Sequence, residues 1–345
     1  MGTLLKNPAP TGVRGVHVAW FILTLAGALL IAEWSVRLAL PDYDPAGQIR
    51  FTQDAKAGVL LGQRNTTARQ IKNSGDYNVA VRINRHGFRD IQDVSQGTER
   101  DLYIVGDSFT FGWGVEENLR FSSRLAKLTG RRVFNISASV NIDSYTKLIS
   151  YAESLGAGVR DVVIAINMID DFAEILPPEA TPAIPDALFN GRHFLYRAKL
   201  ALLTHSAFYF ALTTSLKSSK WLNAVLVELG LVIALKDRVW GAPPERAVKD
   251  SVAALSKISS KYRLTLMLIP SRGLWQGDKI DELAAYHKRV RKSLVDAGLH
   301  VVDLRPALEA AGSPLRFHFR NDGHWNPHGH AFAAEHLSKH LRQAR

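Results

Sequence analysis

Residues 101–115, DLYIVGDSFTFGWGV, pass from four consecutive apolar residues, Leu102–Val105, straight into Gly106-Asp107-Ser108 and then into two glycines set among aromatics. An apolar run of this length, bounded by a glycine, predicts a strand buried on both faces. Two readings follow for the residues after it. Either they form a plain strand-to-helix loop in which Ser108 caps a helix, or Ser108 is a nucleophile held at the strand tip.

Working outward, the same pattern recurs. Strands are expected at Leu102–Val105, Val133–Ile136, Val162–Ile166, Leu264–Ile269 and His300–Val302, with helices near 118–129, 143–155, 245–261, 279–297 and 331–341. Strands separated by helices predict a parallel sheet covered on both faces, with chemistry at the carboxyl ends of its strands. Ser108 falls just past the first of these ends. Upstream, residues 41–100 are polar and turn-rich, with short alternating stretches such as 77–83, and are expected to form small strands and loops packed on the main domain. Residues 173–242 interrupt the alternation with a proline-rich loop, PPEATPAIP, and apolar helical stretches, of which Leu222–Leu235 is the most apolar. We expect a helical insertion here, serving as a lid or a membrane-facing surface.

The chain of 345 residues is 46% hydrophobic and 22% charged, a globular composition, and lacks cysteine, which excludes disulfides and thiolate chemistry. Its net charge of +11 is scattered without a dense basic run, so no nucleic-acid partner is expected. Attraction to anionic lipid or to an acidic polysaccharide fits equally. Val16–Ala32 is apolar apart from His17 and Thr24, and with the residues to Leu40 it reaches the length of a bilayer span. No small-x-small cleavage site precedes a polar start, so residues 16–40 are expected to be an uncleaved anchor rather than a cleaved signal peptide. Lys6 and Arg14 lie ahead of it. That places residues 1–40 as cytoplasmic tail and inner-membrane anchor, with everything after them outside the cytoplasm, in the periplasm.

A serine hydroxyl needs a base within hydrogen-bond reach, an orienting partner for that base, and N–H donors for the oxyanion that forms. Near the carboxyl terminus stands Asn321-Asp322-Gly323-His324-Trp325-Asn326-Pro327-His328-Gly329-His330. Asp322 and His324 are two apart, and Gly323 is expected to allow the tight turn by which the carboxylate holds one imidazole nitrogen while the other faces Ser108. His324, His328 and His330 straddle Pro327 and Gly329 without a companion acid block, and no metal site is expected of them. His328 and His330 are read as surface or packing residues. Trp113 and Trp325 are read equally as pocket lining and as core, and Arg89 with Asp90 as a structural ion pair.

These blocks carry a resemblance to the SGNH/GDSL hydrolase superfamily. Gly106-Asp107-Ser108 matches its first block and Asp322-Gly323-His324 its last. Asn135-Ile136-Ser137-Ala138-Ser139 resembles the second, and Asn84-x-x-Gly87-Phe88-Arg89-Asp90 resembles a stretch found ahead of the serine in membrane-anchored bacterial members. The resemblance spans residues 80–345 without the insertion. It implies a flavodoxin-like three-layer α/β/α domain over 101–345, with about five parallel strands. It implies Ser108 as nucleophile, His324 as general base, Asp322 as orienter, and ester hydrolysis or acyl transfer without metal or cofactor. The oxyanion donors it points to are Ser108 itself, Val140 or Asn141 where the second block usually has glycine, and Asn167 or Asp170 for the third block's asparagine. A carboxylate at that last position repels an oxyanion unless protonated. The expected substrate is an acylated small molecule or glycan. The alternatives are an O-acetyltransferase tied to envelope polysaccharide machinery, since Asp322-x-His324-Trp325 is similar to the block of alginate-acetylation proteins, and a catalytically inactive glycan-binding subunit.

Overall fold

The computed structural model describes residues 11–138, 140, 142–172, 199, 201–229 and 241–343. It opens with helix α1, Thr11–Ala39, followed by two antiparallel hairpins, β1 (Phe51–Asp54) with β2 (Val59–Gly62) and β3 (Thr66–Ile71) with β4 (Asn78–Ile83). The α/β part then runs β5 (Leu102–Gly106), α2 (Ser108–Phe111), α3 (Phe121–Thr129), β6 (Val133–Asn135), α4 (Ile142–Ser154) and β7 (Asp161–Asn167). The insertion contributes α5 (Ala207–Ser218) and α6 (Lys220–Glu228). The chain resumes with α7 (Glu245–Ser259), β8 (Arg263–Ile269), α8 (Ile280–Asp296), β9 (His300–Asp303), α9 (Arg305–Ala310) and α10 (Pro327–Gln343). The proline-rich loop at 177–185 and the end of the apolar stretch beyond Leu229 lie outside the described residues.

The five strands β5–β9 form one parallel sheet in the order β6-β5-β7-β8-β9. This is the three-layer α/β/α architecture expected from the sequence. Period-two alternation divides each strand between the faces. Tyr103, Val105, Ile164, Ile166, Leu266 and Leu268 pack with Leu148, Leu255 and Tyr286 of α4, α7 and α8. Ile104, Val163, Ala165, Met267 and Ile269 pack on the other face with Phe121 of α3, with Ala333 and Leu337 of α10, and with Trp325 just ahead of α10. The chain winds outward in opposite directions from β5, which opens a crevice at the carboxyl ends of β5 and β7. Ser108 stands at its edge.

Among the described residues, α1 is the helix long and apolar enough to cross a membrane, over Gly15–Ala39, and its apolar stretch is not buried against the rest of the chain. A bilayer anchor and a signal sequence share this length and composition. Its last turns are docked. The Glu33 carboxylate accepts from Ser206 Oγ (2.7 Å), Ala207 N (2.9 Å) and Phe208 N (3.0 Å), and so satisfies the free N–H groups at the start of α5. Arg37 ties Glu33 (2.8 Å) to Asp44 (2.7 Å) and to the His205 carbonyl (2.8 Å).

Candidate active site

The turn after β5 is built by Asp107. Its Oδ1 accepts from Phe109 N at 2.9 Å, capping α2, and its Oδ2 accepts from Asn167 Nδ2 at 3.2 Å across the crevice. Asp107, not Ser108, is therefore the helix cap. Ser108 takes the first position of α2, where its N–H has no intrahelical acceptor and its side chain is free for other contacts. The glycines that follow are required. Gly112 and Gly114 have φ of 83° and 80°, and a Cβ on Gly114 would lie 2.6 Å from Tyr77 and 2.8 Å from Phe319.

Arg89 holds this loop from beneath. Its guanidinium, 1% exposed, donates to the carbonyls of Gly112 (2.5 Å), Val115 (2.6 Å) and Phe111 (3.3 Å). Burial, with Arg120 nearby, pushes its pKa down to about 9, so it remains charged at neutral pH. The ion pair expected between Arg89 and Asp90 is not formed: Asp90 accepts instead from Asn135 N at 2.7 Å and Gln92 N at 3.0 Å. Consecutive side chains here face different parts of the core, which brings Asp90 to the second block while Arg89 reaches the serine loop.

The Ser108–His324–Asp322 constellation is brought together from sequence positions more than 200 apart. His324 Nε2 lies 2.8 Å from Ser108 Oγ, and His324 Nδ1 is hydrogen-bonded to Asp322 Oδ1. This fixes the tautomer, with the Nδ1 proton on the carboxylate side and the Nε2 lone pair toward the hydroxyl. The two-residue spacing works because Asp322 Oδ1 also accepts from His324 N at 3.0 Å. Gly323 is not what allows it: it has no positive φ, and an added Cβ would meet nothing within 4 Å. Arg272, after β8, donates to the carbonyls of Phe319 (2.7 Å) and Asp322 (3.1 Å) and anchors the loop. Trp113 stacks on the His324 ring at 5.8 Å, and Phe109 lies at 5.0 Å. Trp325 is core, at 1% exposure, and His330 is a buried packing residue under Phe121, whereas His328 is exposed.

Asp322 is almost wholly buried. Burial opposes its ionisation, but the bonds from His324 and from Lys72 outweigh it and hold the carboxyl well below the usual carboxylate range. Lys72 Nζ lies 2.5 Å from Asp322 Oδ2, and Tyr77 OH donates to the same oxygen at 3.3 Å. Neither residue stands out in the sequence. They flank the turn of an alternating hairpin ahead of the Asn84–Asp90 block and belong to no motif, and only docking against the 319–324 loop reveals them.

The other oxyanion candidates are placed as follows. Val140 N donates to Ala138 O at 2.9 Å, so this N–H is engaged within its own loop. Asn141 lies outside the described residues. Asn167 Nδ2 is committed to two carboxylates, Asp107 and Asp170 (2.8 Å). Asp170 thus lies against the Asn167 amide, with His324 as a neighbour. Burial raises its carboxyl, while the neighbouring His324 and the Asn167 amide pull it back. Burial likewise pushes Asp107 up to about 6.

With this geometry in hand, the chain can be set beside known proteins. Residues 245–345 match the family model described as ALGX, SGNH hydrolase-like domain, acetyltransferase AlgX. This part of the chain, which carries the Asp322-Gly323-His324 block, is thus similar to an SGNH hydrolase-like domain. Similar solved structures include a member of the lipolytic protein G-D-S-L family from Veillonella parvula DSM 2008 (10% identity, TM-score 0.41, covering 70% of this chain and 98% of that one). A lipase/acylhydrolase from Enterococcus faecalis (11%, TM-score 0.40, 71% and 96%) and the acetylxylan esterase Axe2 from Geobacillus stearothermophilus (13%, TM-score 0.37, 71% and 95%) are also similar. No curated protein matches the chain.

Proposed function

We propose that the chain is a serine-dependent acyl-transfer enzyme, a carboxyl-ester hydrolase or acetyl esterase that works through an acyl-Ser108 intermediate on an acylated small molecule or glycan. The observation that carries this reading is the Ser108 Oγ–His324 Nε2 approach of 2.8 Å with Asp322 on the far imidazole nitrogen. Ser108 Oγ attacks the ester carbonyl carbon as its proton passes to His324 Nε2. The oxyanion forms beside the Ser108 N–H. The alcohol departs with the proton from His324, leaving acyl-Ser108. His324 then deprotonates water, whose oxygen attacks the acyl carbon, and the acid and free Ser108 are released.

The second reading, a polysaccharide O-acetyltransferase, is supported by the match of residues 245–345 to a model described as an acetyltransferase. Here a sugar hydroxyl replaces water in the last step. The test is turnover of an aryl acetate by the full chain in detergent, with and without a polysaccharide acceptor, beside Ser108→Ala. Free acetate lost in the variant supports the esterase, and acetylated acceptor found by mass spectrometry supports the transferase. No turnover, together with no labelling of Ser108 by a fluorophosphonate, would overturn both in favour of an inactive glycan-binding subunit.

Asp170 makes a further prediction. A carboxylate beside the developing oxyanion opposes it, whereas an amide donates to it. Asp170→Asn is expected to raise kcat for the aryl acetate by about tenfold. A fall in kcat with unchanged folding would show instead that the carboxyl contributes to the reaction.

The domain acts outside the cytoplasm in this reading, with α1 as a single-pass anchor in the inner membrane and Lys6 and Arg14 on the cytoplasmic side. Because the chain has no cysteine, one introduced near either end can be labelled alone. A membrane-impermeant maleimide is expected to reach a cysteine at the carboxyl end in spheroplasts and not one before residue 11. The reverse pattern would invert the topology, and loss of the amino-terminal segment from the mature protein would make it a cleaved signal.

A further inference from the structure

The β3–β4 hairpin lies outside the α/β domain, yet it supplies the groups that meet the outer oxygen of the orienting carboxylate. Asp322 divides its two oxygens. Oδ1 serves His324 through both the imidazole and the backbone N–H, and Oδ2 serves the hairpin through Lys72 Nζ and Tyr77 OH. The hairpin is itself fixed on two sides. Its turn is closed by Gly75 N on Lys72 O (2.8 Å) and Lys72 N on Tyr77 O (3.1 Å). Asp76 Oδ1 accepts from Asn321 N at 3.1 Å, one residue before Asp322. On the far side, Asn73 bonds Thr213 (2.8 Å), Thr214 (3.2 Å) and Lys217 (2.5 Å) of α5. The anchored turn thus sets the Lys72 ammonium, its side chain 31% exposed, against a carboxylate 3% exposed.

Resting on the reading of Ser108 and His324 as nucleophile and base, we propose that Lys72, steadied by Tyr77, is a positioning residue that sets the basicity of His324 through Asp322. A carboxylate shared with a cation has less charge to offer the imidazolium, and the cation itself repels it. Both effects disfavour protonated His324 and keep it available as base at lower pH. The other titratable groups facing His324 act from fixed places: Asp107 from the end of β5, Asp170 from the end of β7, and His318 and His330 from either side of its own loop, while Arg272 from beyond β8 meets the Asp322 carbonyl. None of them touches Asp322 Oδ2, so a change at Lys72 leaves their contacts in place.

Removing the cation favours the protonated imidazole. The acid limb of kcat/KM, which requires neutral His324, then moves to higher pH. In the full chain in detergent, Lys72→Met is expected to shift that limb upward by about one pH unit, and Lys72→Arg to restore it. The same shift is expected in the titration of the His324 ring proton by NMR, measured in a Ser108→Ala background that needs no turnover. An unmoved His324 titration in Lys72→Met, with native far-UV circular dichroism, would overturn the proposal even if activity falls. A moved titration in a chain with no esterase activity would support it and count against the enzymatic reading alone.

Discussion

His324→Ala is expected to lower kcat/KM for a short acyl ester by about four orders of magnitude, and Ser108→Ala by a similar factor. The two losses should not add. If Ser108 is a nucleophile only when His324 takes its proton, the double variant is no slower than either single one. Residual turnover would come from the remaining oxyanion donors and substrate binding. Neither change touches a core cluster, and His324 keeps a fifth of its side chain exposed, so folding should be unaffected. Far-UV circular dichroism and the urea midpoint check this. Single losses that multiply in the double variant would mean that the two residues act independently, and the hydrogen bond between them would then have no part in the chemistry.

Arg89→Ala is expected to act through the fold. The guanidinium lies between the hairpins and the serine loop and serves the carbonyls of Phe111, Gly112 and Val115. Its removal leaves these acceptors buried without a donor and opens a cavity beneath the loop. Together these effects are expected to destabilise the protein by about 3–5 kcal/mol. Ser108 precedes that loop directly, so activity should fall at temperatures well below the unfolding transition. Arg89→Lys should recover little, because one ammonium cannot span carbonyls that the planar fork meets together. The urea midpoint and the ester turnover of both variants, measured together, test this. A stable Arg89→Ala chain with full activity would show that the loop holds its shape without the clamp.

Much of this architecture is legible in the chain. The strands β5, β7 and β8 are continuous apolar runs because both faces of a central parallel strand are buried, and a run of that kind needs no partner to be recognised. The helices between them carry the 3.6 period because each buries only one side. For the same reason Ser108 could be placed at a strand tip, and His324 and Asp322 could be matched to it as base and orienter by residue type and spacing. Short elements were less visible. Helix α2 has four residues, too few for a period, and is defined by the Asp107 cap rather than by its own sequence.

What only the tertiary structure decided are contacts between segments that share no local pattern. That Arg89 grips the serine loop instead of pairing with Asp90 depends on how the second hairpin packs beneath it. That Asn167 is occupied by Asp107 depends on β5 and β7 lying side by side in register, with Gly106 opposite Ala165. Lys72 and Tyr77 reach Asp322 across 250 and 245 residues of chain. Charge and hydrogen bonding act at a few ångströms and are blind to distance along the sequence. Periodicity reports which face of an element is buried, but not which neighbour a polar side chain meets there.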